Sequence, residues 1–160
     1  MREPGLRLID RGLLEAVTAQ ARASPRRRKN YNFHAQEAHP ANRLLNAIEP
    51  GSYVQPHRHL DPTKDETFIV VRGRFGLVLF DQDGAVVRTA VLAADGEAIG
   101  ADVPHGTYHT LISLEPGSVF FEAKAGPYRQ IGDDERAPWA PREGDPRAAA
   151  YLADLERRFR

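Results

Sequence analysis

The 160-residue sequence predicts a mainly β fold, a sandwich or barrel with one α-helix at each end. Three observations predict it. Roughly eight short runs rich in Val, Ile, Leu and Phe are punctuated by Gly, Asp and Pro at sandwich-like spacing. Helical periodicity is confined to the two ends of the chain, so strands and helices do not alternate, which argues against a Rossmann-type βαβ sheet. At this length, with 41% hydrophobic and 28% charged residues, one domain can bury a core without disulfides.

The elements follow in order. In "DRGLLEAVTAQARAS" Leu13, Leu14, Val17 and Ala21 share one helical face, with Asp10 as N-cap and Pro25 beyond the end. Strands are predicted near 44–48, 53–55, 67–72, 75–80, 86–92, 98–99, 108–113 and 119–124. "VRGRFG" and "DQDGAV" read as tight hairpin turns in which glycine supplies positive φ. The proline-rich segment 126–143 is expected to cross the surface as an ordered loop pinned by Trp139. A closing helix is expected in "DPRAAAYLADLERRF", capped by Asp145, with Pro146 at its first position and a basic last turn. The expected organisation is an N-terminal helix and basic turn over 1–30, a β-barrel over 31–130, and a C-terminal loop and helix over 131–160.

Charge and composition exclude several functions. The chain carries 22 basic and 22 acidic residues, so nucleic acid is not an expected partner. "RRRK" at 26–29 reads as a solvated turn after the first helix. No stretch has transmembrane length and the start lacks the apolar core of a signal peptide, so no membrane partner is expected and the cytoplasm is the default location. Cysteine is absent, which removes thiol nucleophiles and thiolate ligands; any metal must be held by imidazole and oxygen.

"GSYVQPHRHLDPTKDETFIVVRG" is the stretch with chemistry in it. On a strand, His57 and His59 point to one face and Arg58 to the other. Glu66 shares a face with Phe68 and Val70, and an isolated buried carboxylate there is costly without a partner. His109, in "VPHGTYHTL", lies just inside a strand after a Pro–Gly turn. Taken singly, the histidines read as surface or core residues and Glu66 as an exposed strand charge. Together, three imidazoles and a carboxylate form a donor set for Fe, Mn, Ni, Co or Zn.

These residues resemble the two cupin motifs. The first, G(x)5HxH(x)3–4E(x)6G, matches Gly51, His57, His59, Glu66 and Gly73, with "LDPTKD" as a longer gap before Glu66. The second, PxGxxHxxxN, matches Pro104, Gly106 and His109, with Ser113 in place of Asn. More narrowly, "RLLNAIEPGSYVQPHRH", "KDETFIVVRGRFGLVLFD", "VPHGTYHTL", "FEAKAGPY" and "APWAP" resemble the WbuC-type cupin-fold metalloproteins. The resemblance implies a cupin double-stranded β-helix, a jelly-roll barrel, with His57, His59, Glu66 and His109 as metal ligands, encoded among polysaccharide-biosynthesis genes.

Candidate catalytic residues are His105 in the "PHG" turn, Lys124, and Tyr128 as part of a lid; His34, Lys64, Glu122 and Arg129 are candidates around them. Glu122 and Lys124 share one strand face: turned inward they would attract an anionic substrate, turned outward they are a solvated pair. The expected partner is an anionic or sugar-derived small molecule, and the expected assembly a homodimer paired through sheet edges. The leading functional expectation is a metal-dependent isomerase or epimerase acting on a sugar or sugar-derived acid. Its alternatives are an Fe(II)-dependent dioxygenase and a non-catalytic ligand-binding module.

Overall fold

The computed structural model describes residues 5–160. Helix α1 (Arg11–Ala23) begins where the sequence places it. Extended Asp10 accepts a hydrogen bond from the Leu13 amide at 2.9 Å, satisfying one of the free N–H groups of the first turn. Eight strands follow: β1 (Arg28–Asn32), β2 (Ala41–Ile48), β3 (Glu66–Arg72), β4 (Arg74–Phe80), β5 (Val86–Ala93), β6 (Gly100–Val103), β7 (Tyr108–Ser113) and β8 (Val119–Ala125). Helix α2 (Ala148–Glu156) and a 3₁₀ turn (Arg157–Phe159) end the chain. No helix among the described residues is long and apolar enough to cross a membrane.

The strands form two antiparallel sheets, β1-β2-β8-β3-β6 and β5-β4-β7, lying face to face as a jelly-roll sandwich. Period-two alternation assigns each side chain to a layer. On β2, Leu45 and Ala47 face outward against Leu14, Val17 and Ala21 of α1. From the same strand Ile48 faces inward and joins Phe68, Val70, Phe75, Leu77, Leu92, Leu111 and Phe120 between the sheets. On β7, Tyr108 and Ile112 face outward and pack with Val78, Phe80, Leu152 and Leu155 beneath α2. The layers are thus α1, the larger sheet, the smaller sheet, then α2 with its loop. Each fully buried aliphatic or aromatic side chain contributes about 1.5–3 kcal/mol.

Several expectations are corrected. Arg28 and Lys29 are not a solvated turn but open β1, whose backbone pairs with β2 from Arg28↔Ile48 to Asn32↔Leu44. Main-chain pairing makes that strand, so its polar side chains carry no apolar alternation. Residues 53–55 form no strand, and the strand expected at 98–99 begins at Gly100. Asp145 does not cap α2: its carboxylate accepts from the Arg147 amide at 2.8 Å and is gripped by the Arg147 guanidinium. Helical geometry therefore starts only at Ala148, and the basic residues Arg157 and Arg158 fall in the 3₁₀ turn. The sheets also do not close into one barrel. β5 and four-residue β6 end their respective sheets, and a slot of about 300 Å³ lined by Leu77, Leu92, Ala101 and Val103 separates them.

The 126–143 loop lies against the smaller sheet. Trp139 packs on Phe80 and Tyr108, with ring centroids 4.8 and 5.7 Å apart. Gly84, at φ +91°, admits the indole; a Cβ there would lie 2.6 Å from it.

Candidate metal centre

One end of the space between the sheets is a cavity of about 700 Å³, and the sequence-predicted donors converge there. His109 comes from β7, and His57 pairs with it across two reciprocal backbone hydrogen bonds of 2.9 and 3.1 Å. Residues so paired direct their side chains to one face, which brings the two rings to 4.8 Å. His57 is held on its other side by a bridge to Arg136, so a single bridged residue between β7 and the 126–143 loop does the work expected of a strand. Pro56 precedes it and its carbonyl accepts from the Ala137 amide. Glu66 reaches in from the first position of β3, opposite Lys124 of β8. The centre therefore draws imidazoles from the smaller sheet and its margin, and carboxylate and ammonium from the larger.

Nδ1 of His57 lies 3.0 Å from the Gln55 carbonyl, and Nδ1 of His109 lies 2.9 Å from the Thr107 carbonyl. A carbonyl only accepts, so both Nδ1 atoms carry a proton, and in the neutral ring each Nε2 lone pair faces the cavity, the tautomer a metal ligand needs. One donor atom each from His57, Glu66 and His109 lie within 4.8 Å of one another. His59 stands outside that group of three, yet its Nε2 is 3.0 Å from Glu66 Oε1. His109 Nε2 is 2.8 Å from Glu66 Oε2. Neither contact is aligned as a hydrogen bond, and His59 Nε2 and Glu66 Oε2 are buried without any hydrogen-bond partner. Unpaired buried polar atoms are costly, and a divalent cation among them would satisfy both. The residues present fit such an ion.

The electrostatics of His57 and Glu66 agree with that fit, while His109 is held towards its protonated form by the carboxylate that a cation would share with it. Desolvation, then the nearby His109, push the His57 imidazole down to about 3, so it is neutral at ordinary pH. Burial alone would raise the Glu66 carboxyl, but His109, His59 and Lys124 more than offset it and hold it well below the usual carboxylate range. Burial would lower His109; the Glu66 carboxylate outweighs it and raises this imidazole.

Beside Glu66 lies a polar chain. Lys124 Nζ donates to Glu66 Oε1 at 2.8 Å and to Glu122 Oε1 at 3.0 Å, and Asn46 Nδ2 donates to Glu122 Oε2 at 2.9 Å. Glu122 and Lys124 therefore face inward, which decides the alternative the sequence left open. Burial first, then the Glu66 carboxylate, raise the Glu122 carboxyl against the pull of Lys124. Burial would lower Lys124, but the two carboxylates outweigh it and keep it cationic.

Of the remaining candidates, Tyr128, Arg129 and His34 line the cavity mouth. His105 does not line the cavity. It is exposed, with its amide and Nδ1 both 2.8 Å from Asp65 Oδ1, because the Pro104–Gly106 turn directs it away from the sheets. Lys64 is structural: its Nζ donates to the Ala125 and Pro127 carbonyls at 2.8 and 2.7 Å. Asn42 and Asn46 were missed. Their only sequence signal is parity, for they share the inward face of β2 with Leu44 and Ile48.

A family model described as Domain of unknown function (DUF6016) matches residues 9–92. The chain belongs to that family. No curated protein sequence matches it. Among solved structures, KdgF from Halomonas sp. superposes with a TM-score of 0.50 at 22% identity, over 67% of this chain and 82% of that one. SPY1581 from Streptococcus pyogenes, a conserved protein of unknown function, gives 0.51 at 12% identity, over 79% and 92%. CapF in complex with the inhibitor 3-isopropenyl-tropolone gives 0.50 at 20% identity, over 63% of this chain but 28% of CapF. At such identities the likeness concerns the fold, and the fold is that of the cupins.

Proposed function

We propose that this DUF6016 cupin is a metal-dependent enzyme that moves a proton on a small, oxygen-rich anion, an isomerase or epimerase of a sugar-derived acid. His57, His59, Glu66 and His109 are proposed as ligands of a divalent transition metal. One observation carries the reading: Glu66 Oε2 and His59 Nε2 are buried, close to opposing lone pairs, and unbonded. The WbuC-type stretches of the sequence support a place in polysaccharide biosynthesis.

When bound, the ion would supply Lewis-acid polarisation of a substrate oxygen. The chain's own residues do the rest. An ammonium has three N–H donors, and Glu66 and Glu122 take two of those of Lys124. The third is left for the substrate anion. Glu122, with its raised proton affinity and an oxygen fixed by Asn46, is placed to take a proton from carbon and return it. Lys29 and Arg129, at the mouth, have no carboxylate within ion-pair distance among the described residues and favour entry of anions. Tyr128 closes the same side.

The test is a screen of metal-loaded protein against sugar phosphates, sugar nucleotides and sugar acids in deuterated water, read by mass spectrometry. The expected result is deuterium at a carbon next to a carbonyl. Glu122→Gln should slow that exchange by about 10²–10⁴-fold while keeping the metal. Metal-loaded protein that exchanges no proton on any member of the screen contradicts the proposal.

A further inference from the structure

The inner face of the larger sheet is organised in rows across its strands. Asn42 of β2, Lys124 of β8 and Glu66 of β3 are direct register partners and form the row nearest the mouth. The next row is Leu44, Glu122 and Phe68, and the one below it Asn46, Phe120 and Val70. The top row is thus polar across all three adjacent strands, while each row beneath keeps one polar residue, Glu122 or Asn46, beside apolar ones.

Each member of the top row has unused bonding capacity. Glu66 holds the cation end. Lys124 keeps one N–H after donating to Glu66 and Glu122. Asn42 is 2% exposed, lines the cavity, and its Oδ1 has no hydrogen-bond partner. A buried amide oxygen without a partner is unfavourable, and this one lies beside Gly126, whose missing side chain leaves it room on the cavity wall. Strands lie about 4.8 Å apart, so Glu66 and Asn42 are separated by about 10 Å across the face. That is the span of an extended chain of roughly five or six carbons with its terminal oxygens.

We propose that the row Glu66–Lys124–Asn42 reads the length and hydroxylation of the ligand, a polyhydroxy carboxylate of roughly five or six carbons. Its carboxylate lies at the Glu66 end and accepts the free N–H of Lys124. A distal hydroxyl donates to Asn42 Oδ1. Asn42 is a specificity-determining residue, remote from the donors of the metal centre. The inference rests on the proposed function at the Glu66 end only.

Isothermal titration of metal-loaded protein with gluconate, glycerate and hexanoate tests it. Gluconate has length and hydroxyls, glycerate has hydroxyls without length, and hexanoate has length without hydroxyls. Gluconate should bind at least about tenfold more tightly than either. Asn42→Ala should remove that advantage and leave glycerate unchanged, and Asn42→Leu, which keeps the volume, should do the same if the alanine variant is poorly folded. Unchanged gluconate affinity in both variants, hexanoate binding as tightly as gluconate, or no gluconate binding to the wild type each overturns the inference. Metal content, measured in parallel, reports on the proposed function separately: a protein without metal whose gluconate binding still depends on Asn42 refutes that reading and leaves this one standing.

Discussion

The space between the two sheets has two ends built from the same strands. At the closed end Phe75, Phe120 and Phe68 meet edge to face, with Phe120 centroids 5.1 and 5.3 Å from the other two. At the open end the same strands present different side chains, often two residues on: Glu122 follows Phe120 on β8, and His109 precedes Leu111 on β7. Every group at the closed end is satisfied by packing. At the open end, buried atoms of His59 and Glu66 lack partners. One scaffold thus separates stability from chemistry by position along the strand, and the polar end is expected to be cheap to lose for folding and decisive for binding.

The largest effect should come from the closed end. Phe75→Ala should destabilise the protein by about 3–5 kcal/mol in chemical denaturation and leave metal stoichiometry unchanged at temperatures where it is folded. Next is the loop that holds His57 from outside: Trp139→Ala should cost about 2–4 kcal/mol, and by loosening residues 135–137 it should also weaken metal binding. If the metal affinity does not move, that loop does not position His57.

His59→Leu sharpens the contrast. It removes a buried nitrogen without a partner, so metal-free stability should change by no more than about 1 kcal/mol, while the stabilisation gained on adding metal is reduced. The smallest effect is expected at Glu143, which clamps the end of the loop to Arg26 and Arg28. Burial works to raise this carboxyl, but the two guanidiniums bring it down to about 2. Its contribution is fully present above the usual carboxylate range and fades as pH falls from about 4.5 towards 2. Because the pair is partly exposed, Glu143→Gln should remove less than about 1 kcal/mol, visible as shallower acid destabilisation over that window.

The apolar architecture was legible because β2–β5, β7 and β8 are short runs rich in Val, Ile, Leu and Phe bounded by Gly, Asp and Pro. The Gly84 hairpin turn and the Asp10 cap were legible because their chemistry is local. Gly73 has the positive φ expected of it, but it carries the chain from β3 of the larger sheet to β4 of the smaller and makes no hairpin. β1 was not: "RKNYN" is a strand through backbone pairing alone, and nothing in its side chains announces it. Of the site, Glu66 could be read from its parity with Phe68 and Val70, and His109 from its place after the Pro–Gly turn. His57 was read for the wrong local reason, since no strand contains it; a bridge to β7 turns it inward. His105 was misplaced because a turn's direction is set by tertiary contacts, here with Asp65. Asn42 stayed invisible because an amide on an inward face gains meaning only beside Lys124, a register no spacing rule supplies.

Elemental analysis of protein purified without added metal or chelator, together with His57→Ala and His109→Ala, tests the central claim most directly. The account predicts about one equivalent of a divalent transition metal in the wild type and little in either folded variant. A metal-free wild type that takes up none on titration, or variants that retain the full equivalent, contradicts it.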